Sequence, residues 1–310
     1  MAVSAVKVSG FRGWLQLGTA WQLGLWLVLS LSLSVILFRQ FWTSLPVMLS
    51  PSWVIGDRNA SPWGVLALCL FFLWLKRKEV WREMSLRSTP GFIPVGLAML
   101  VAAVLIPTSR DYLTFQVLLA SLGVFAILFG RAAKIPSILL ATYGLAISFP
   151  LAVQHFAEYA YSRTAIAPLI GLMTTLGYPI ENLGQGIHLT TSYGDFISVA
   201  ITAACAGPAT MGVFIALFTL MMLDRPLSWR KGGWMFLFGA VGTWFQSFIR
   251  LLFILLMGYY WGEDALWTAH FWSIYILFPI WYLSFAHIYF RQVGRPYVAG
   301  AKQKLAYAVD

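Results

Sequence analysis

Charged residues are scarce in this sequence. Only 10% of its 310 residues are Asp, Glu, Lys or Arg, whereas an ordinary soluble domain has about 25%. Apolar residues make up 60% of the chain. A soluble chain of this length needs more charge to cover its surface, so the composition argues against soluble, disordered and disulfide-scaffold proteins. It predicts an all-α polytopic membrane protein.

Cysteine and the common cofactor motifs are also scarce or missing. The two cysteines, Cys69 and Cys205, lie in separate apolar runs and cannot form a disulfide framework. The sequence has neither a nucleotide-binding glycine loop nor a His-Glu-x-x-His motif. We therefore expect no cofactor and no metal. The net charge of +10 is distributed across a membrane, so we expect no nucleic-acid partner either.

Eight apolar runs divide the chain, and each predicts a membrane-spanning helix of about 20 residues. The runs cover about 17–38, 61–75, 91–107, 115–130, 135–155, 197–223, 234–258 and 266–290. With this topology, 16 of the 21 basic residues fall on one side and four on the other. Such a bias predicts that both termini are cytoplasmic. We expect one integral domain, 1–310, that crosses the plasma membrane several times and contacts its lipids.

A long insert, residues 156–196, is predicted on the outer face. Its first part, Ala157 to Gly177, predicts an interfacial helix, and Ile180 to Ser198 predicts short strands with turns. The helix would have one apolar face, formed by Ile166, Leu169, Ile170, Met173 and Leu176. An irregular insert of this length is uncommon unless it has a function, although a simple spacer is the alternative.

Arg250 is the most unusual charged residue, because apolar residues flank it on both sides within the seventh run. A guanidinium cannot be neutralised by losing its proton, so it must be paired or solvated inside the helix bundle. A structural pair or a side chain that reaches the membrane surface is the alternative. Arg250 lies far from both ends of the run, which favours a functional role.

Cys205 and His270 are expected at the same depth as Arg250. Cys205 lies near the outer end of the sixth run and His270 near the outer start of the eighth. Taken alone, a membrane cysteine is usually a packing residue and such a histidine belongs to an interfacial belt. Together the three residues can supply a nucleophile, a proton shuttle and an oxyanion stabiliser. The catalytic region would therefore be 197–290.

The order Cys205-Ala206-Gly207, Arg250, His270 resembles the signature of the exosortase/archaeosortase family of membrane transpeptidases. That signature is a Cys-Ser-Gly-like motif, an Arg in an Asn-x-x-Arg-like helix and then a His. Residues 176–189 also look like the strand-rich segment before the family's cysteine. The resemblance covers about residues 90–290 and is specific from 176 to 270.

Two positions depart from the family pattern: Ala206 stands where Ser is usual, and Ser247 where Asn is frequent. Some archaeal members have an Arg as the third residue, which makes Arg291 an alternative to His270. Arg291 is expected a full helix length from Cys205, at the inner face.

The resemblance implies a cysteine transpeptidase or peptidase that cleaves the C-terminal sorting signals of exported proteins. Such a signal has a short motif, a spanning helix and a basic end. Cys205 would form a thioester near the outer face, and water, an amine or a lipid would accept the product. The family match makes Cys205, Arg250 and His270 the candidate catalytic residues. Weaker candidates for contact with the substrate or the triad are Gly207, Gln246, Ser247, His188 and Asp195.

Two other classes of protein stay open. In an anion-handling transporter, Arg250 would bind the substrate. A thiol-dependent membrane acyltransferase or oxidoreductase would also use Cys205, although Cys69 is poorly placed as a second redox thiol. A Cys205→Ser substitution separates these classes, because transport should survive it and thiol catalysis should not.

Overall fold

The computed structural model describes residues 9–50, 60–84, 92–107, 109–182, 186–200 and 207–306. The described chain is mostly helical and contains one small three-stranded sheet. It divides into two compact units, Met1–Gly144 and Leu145–Asp310. The candidate residues from His188 to His270 all belong to the second unit.

Helices form the described part of the first unit. They are α1 (Ser9–Leu37), α2 (Arg39–Met48), α3 (Ala60–Leu75), α4 (Arg77–Met84), α5 (Phe92–Leu105) and α6 (Arg110–Phe129). A 3-10 turn, Gly130–Ala133, leads into α7 (Lys134–Phe156), which continues into the second unit. Glycines allow α5 and α6 to pack closely, since a Cβ added at Gly96 would lie 2.6 Å from the carbonyl oxygen of Gly123.

The second unit combines the sheet with four further helices. In chain order these elements are α8 (Glu158–Thr175), β1 (Ile180–Asn182), β2 (Gly186–Thr190), β3 (Phe196–Ala200), α9 (Pro208–Asp224), α10 (Trp229–Trp261) and α11 (Glu263–Ala306).

Four helical segments in the described chain are long and apolar enough to cross a membrane. They are Ala20–Leu37, Tyr112–Phe156, Trp229–Trp261 and Glu263–Val293. The second of these contains both α6 and α7, which the sequence predicts as separate spans. Three shorter apolar helices accompany them, Pro62–Leu75, Phe92–Leu105 and Pro208–Asp224. The helical membrane fold is thus confirmed, whereas the count of eight spans and the cytoplasmic termini stay predictions.

The outer insert contains the helix and the strands that its sequence predicts. The strands pair antiparallel in the order β1-β2-β3, with His188 opposite both Glu181 and Ser198. Ile187 and Leu189 alternate with His188 and are fully buried against Leu169 and Met173 of α8. The sheet also packs on α10 through Leu251 and Leu255. One face of the sheet is therefore core, and the other carries polar side chains together with the exposed Phe196.

Two details of the predicted insert and its neighbour are wrong. Leu176 lies just after α8 and is 60% exposed, so it does not belong to the buried face of that helix. The sixth apolar run is not helical from residue 197. Residues 197–200 belong to β3, where Ile197 and Val199 alternate with outward residues and pair with β2.

The helix of the sixth run begins only at Pro208. Gly207 precedes it as the N-cap in a left-handed conformation, with φ +98°, and proline then occupies the first turn. Proline favours this position because it has no N–H to leave unsatisfied. Cys205 is outside the described residues.

Candidate active site

A polar stripe on helix α10 is the centre of the candidate site. Thr243, Ser247 and Arg250 follow each other at intervals of four and three residues, so they lie on one face of the helix. All three are buried, with at most 4% of the residue surface exposed. A buried polar side chain needs hydrogen-bond partners. Each of the three finds them on a neighbouring element or on its own helix.

Arg250 binds one turn of helix α11. Its Nε donates a hydrogen bond to Ser273 Oγ at 3.0 Å, and its Nη2 donates to the carbonyl oxygen of His270 at 2.9 Å. Ser273 Oγ in turn donates to the same carbonyl oxygen at 3.3 Å. The guanidinium therefore holds α10 against the turn of α11 that carries His270. Bonds from a charged donor are stronger than neutral ones, so this contact is firm.

His270 is half-buried near the N-terminal end of α11. Its ring lies edge-on to Trp267, with ring centroids 5.7 Å apart. The structure thus joins Arg250 to His270 through the His270 main chain. Arg291, the alternative third residue, lies almost six helical turns further along α11 at an exposed position.

Ser247 contacts the start of helix α9, where the segment that follows Cys205 ends. A Cβ added at Gly207 would collide with Ser247 Oγ and would lie 2.8 Å from Ser247 Cβ. Thr210 Oγ1 lies 3.4 Å from Ser247 Oγ and donates to the carbonyl oxygen of Gly207 at 2.7 Å. Only glycine fits at position 207, because the backbone has a positive φ and almost touches α10.

Two aromatic side chains of α11 tie these helices together. The hydroxyl of Tyr282 donates to the carbonyl oxygen of Thr210 at 2.7 Å, and Trp281 Nε1 donates to Thr243 Oγ1 at 3.0 Å. A buried carbonyl at a helix N-terminus and a buried threonine hydroxyl thus gain partners from a third helix. These contacts fix α9, α10 and α11 relative to each other beside Arg250.

Strand β3 of the sheet packs against this group of helices. Ile197 of β3 packs against Ile254 of α10 and against Leu266 and Ala269 of α11. Ala269 immediately precedes His270, so strand β3 lies against the same part of α11. The next residues in the sequence after β3 lead to Cys205 and then to Gly207.

The weaker candidate residues lie in three places. Gln246 is half-buried on α10, one turn before Arg250. His188 is half-buried on β2 and Asp195 is exposed at the turn before β3, where its N–H is bound by Thr191 Oγ1 at 3.0 Å. His188 and Asp195 therefore belong to the sheet, whereas Gln246, like Ser247, belongs to the arginine helix.

Ser273 and Thr210 are parts of this site that the sequence reasoning missed. Ser273 follows His270 by three residues and so shares its helical face, which was the available signal. Thr210 follows Gly207-Pro208 as a small polar residue in the first turn of α9. Serine and threonine are common enough in membrane helices that neither position stands out without the fold.

The chemistry of the described side chains is that of an arginine-stabilised site. In the described ranges, no group of three or more His, Cys, Asp or Glu residues could hold a metal ion. What the site offers is a fixed guanidinium, an imidazole carried by the turn of α11 that holds it, and backbone donors at the start of α9. Such groups suit the stabilisation of developing negative charge and the transfer of a proton.

Comparison with known protein families identifies a family for most of this chain. The family model described as Transmembrane exosortase (Exosortase_EpsH) matches residues 53–286, well over half of the chain. That range includes the sheet, Gly207, Arg250 and His270. No curated protein and no solved structure gives a significant match. The chain therefore belongs to the transmembrane exosortase family.

Proposed function

We propose that this chain is a membrane cysteine transpeptidase that removes C-terminal sorting signals from exported proteins through a thioester on Cys205. Family membership supports a multi-pass membrane transpeptidase in general terms. The observation that carries the more specific proposal is the pair of hydrogen bonds that joins buried Arg250 to the turn carrying His270. A charge anchored to the turn that carries an imidazole suits covalent acyl transfer.

Chain geometry supports the assignment of Cys205 as the nucleophile. Two peptide units separate Cys205 from Gly207, so their Cα atoms can be at most about 7.6 Å apart. Gly207 itself contacts Ser247, which is one helical turn from Arg250. The cysteine is thus tethered within a short distance of the arginine helix.

The proposed reaction has two stages. In the first, His270 takes the thiol proton, the Cys205 thiolate attacks the scissile carbonyl carbon, and the carbon–nitrogen bond breaks. The released amine takes the proton from His270 and a thioester remains on the enzyme. In the second, water, an amine or a lipid hydroxyl gives a proton to His270 and attacks the thioester carbonyl carbon. The carbon–sulfur bond breaks, and the proton passes from His270 to the freed Cys205 sulfur. Arg250 stabilises the thiolate or the oxyanion in both stages.

We further propose that the sheet reads the recognition motif of the sorting signal as an extended strand added at one of its edges, with side chains of its outward face beside that strand supplying specificity. Ile187 and Leu189 are core residues, so substrate contact falls to the opposite face, where His188 stands between Glu181 and Ser198. An added strand gains main-chain hydrogen bonds for affinity and side-chain contacts for specificity.

A processing assay tests the cysteine mechanism. An exported protein with a motif, a spanning helix and a basic end is co-expressed with the wild-type enzyme, Cys205→Ser, Cys205→Ala or Cys69→Ala. We expect loss of the tail with the wild type and with Cys69→Ala, and an intact tail with both Cys205 variants. Tail loss with every variant would refute the nucleophile and favour a transport or structural role for Arg250. Tail loss that depends on both cysteines would favour thiol redox chemistry.

A further inference from the structure

Ser273 differs from the other hydrogen-bonded serine of helix α11. Ser284 is exposed and donates to the carbonyl oxygen of Ile280 on its own helix. Ser273 is 3% exposed and, besides its own-helix contact, accepts a hydrogen bond from Arg250 on α10. A buried serine hydroxyl can be satisfied by a carbonyl oxygen of its own helix. The hydrogen bond between Ser273 and Arg250 of another helix is therefore more than the hydroxyl needs for its burial.

We propose that Ser273 is a positioning residue that sets the orientation of the Arg250 guanidinium towards the reacting thiol. This inference rests on the proposed function, because the thiol is that of Cys205. Ser273 does not itself touch the reacting atoms. It acts through Arg250.

The geometry supports this role because Arg250 is held at two points. Ser273 Oγ and the His270 carbonyl oxygen receive the Nε and Nη2 donors, and both acceptors belong to one turn of α11. Two contacts on a planar guanidinium fix the direction of its plane, whereas a single contact would leave it free to rotate. Removal of the Ser273 hydroxyl takes away one of these two contacts.

The hydroxyl also links Arg250 and His270. Ser273 Oγ donates to the same carbonyl oxygen that receives Arg250 Nη2, so the three groups form a closed set of hydrogen bonds. Loss of the Ser273 hydroxyl therefore leaves the Arg250 guanidinium less well oriented. It also leaves the turn that carries His270 less ordered. Since a cation favours the thiolate, a misdirected guanidinium should make Cys205 less reactive.

The reactivity of Cys205 towards iodoacetamide at pH 7 provides a direct test in the full-length protein. Site-resolved mass spectrometry distinguishes Cys205 from Cys69, which is buried in the other unit and serves as an internal control. The informative comparison is Ser273→Thr against Ser273→Val, because these side chains share a shape and differ in the hydroxyl. Ser273→Ala provides a smaller variant, and Ser284→Ala is the matched control on the same helix.

We expect Ser273→Val and Ser273→Ala to slow Cys205 alkylation about 10-fold, in line with the loss of one charge-assisted hydrogen bond. Ser273→Thr and Ser284→Ala should remain within about twofold of the wild type, the margin left when that hydrogen bond is kept. In an Arg250→Ala background, Ser273→Val should not slow Cys205 alkylation further, because Ser273 acts only through Arg250. Processing by Ser273→Val should show a lower kcat with little change in KM.

Two results would overturn the proposal. One is equal alkylation of Cys205 in the Val and Thr variants, and the other is the same slowing by Val with and without Arg250. The proposed function fails separately, if the Cys205 variants still process substrate. In that case Cys205 alkylation could still depend on Ser273 and Arg250. Failure of the cysteine mechanism is thus distinguishable from failure of the positioning role of Ser273.

Discussion

The tight contact at Gly207 leads to a quantitative prediction about the segment that follows Cys205. Gly207→Ala should be destabilising for two separate reasons. The backbone has φ +98°, where a side chain costs about 1–2 kcal/mol. The new Cβ would also collide with Ser247 Oγ and lie 3.0 Å from Thr210 Oγ1, and overpacking of this kind costs about 1–3 kcal/mol.

A matched glycine separates these two costs. Gly177 has φ +83° and no atom within 4 Å of an added Cβ. Gly177→Ala should therefore lose only the backbone cost of about 1–2 kcal/mol. Gly207→Ala should lose about 2–5 kcal/mol in total, which is the sum of the two costs. The measurement is the free energy of unfolding in detergent micelles.

A double-mutant cycle with Ser247→Gly isolates the collision. Ser247→Gly alone costs about 1 kcal/mol because glycine is unfavourable inside a helix, and the cycle subtracts that cost. In the Ser247→Gly background, Gly207→Ala should lose about 1–3 kcal/mol less than in the wild type. Additive losses, or equal losses for the two alanine variants, would refute the account of the contact.

Gly207→Ala should lower the processing rate by more than the loss of folded protein explains. A shift at Gly207 moves a point two residues from Cys205, and a displacement of about 1 Å in an active site can cost 100-fold in rate. Gly177→Ala should leave the processing rate per folded molecule unchanged. A wild-type processing rate per folded molecule of Gly207→Ala would show that the contact between Gly207 and Ser247 does not matter for catalysis.

Three further predictions follow from buried contacts. Arg250→Lys keeps the charge but loses the planar pair of donors to Ser273 and His270. Processing should fall about 100-fold, from the loss of roughly 3 kcal/mol of charge-assisted bonding. Activity near wild type would show that charge alone suffices. Tyr282→Phe removes the second donor to the Thr210 carbonyl oxygen, which also accepts within α9, and should lower the free energy of unfolding by about 0.5–1.5 kcal/mol. An unchanged value would mean that this hydrogen bond between helices does not contribute to stability. Leu189→Ala leaves a cavity at a fully buried position of the sheet and should lower the free energy of unfolding by about 2–5 kcal/mol. Thr175→Ala, at an exposed position, is the control. A loss below about 1 kcal/mol for Leu189→Ala would contradict the packing of the sheet on α8 and α10.

The helical fold and the order of the candidate residues follow from the sequence because their signals are local. Low charge and long apolar runs indicate membrane helices directly. An arginine within such a run is conspicuous wherever its partners lie. The alternation of Ile187, His188 and Leu189 likewise indicates a strand with one buried face.

The start of helix α9 could not be located in this way. The run 197–223 is apolar throughout, and apolar residues fit a buried strand as well as a membrane helix. Pairing with β2 is a long-range contact, and it makes Phe196–Ala200 a strand. The left-handed turn at Gly207 then begins the helix, and the approach to Ser247 adds a steric reason for glycine that only the fold shows.

The partners of Arg250 are likewise a tertiary property. The sequence indicates that a buried guanidinium needs acceptors, but two neutral oxygens on one turn of α11 meet that need. One of them is a main-chain carbonyl, which every residue has. The other is Ser273, and Ser284 lies about three turns further along α11 on nearly the same side, so helical periodicity alone does not select the serine that contacts α10.

The most direct test of the central claim is to trap the acyl-enzyme. A reporter protein ending in a motif, a spanning helix and a basic cluster is incubated with the wild-type enzyme, and the enzyme is quenched in acid for intact-mass analysis. The account predicts a covalent adduct whose mass equals the reporter without its tail, attached at Cys205 and released by hydroxylamine. The adduct should be missing from Cys205→Ala and unchanged in Cys69→Ala. Processing of the reporter by Cys205→Ala, or an adduct on any other residue, would contradict the account.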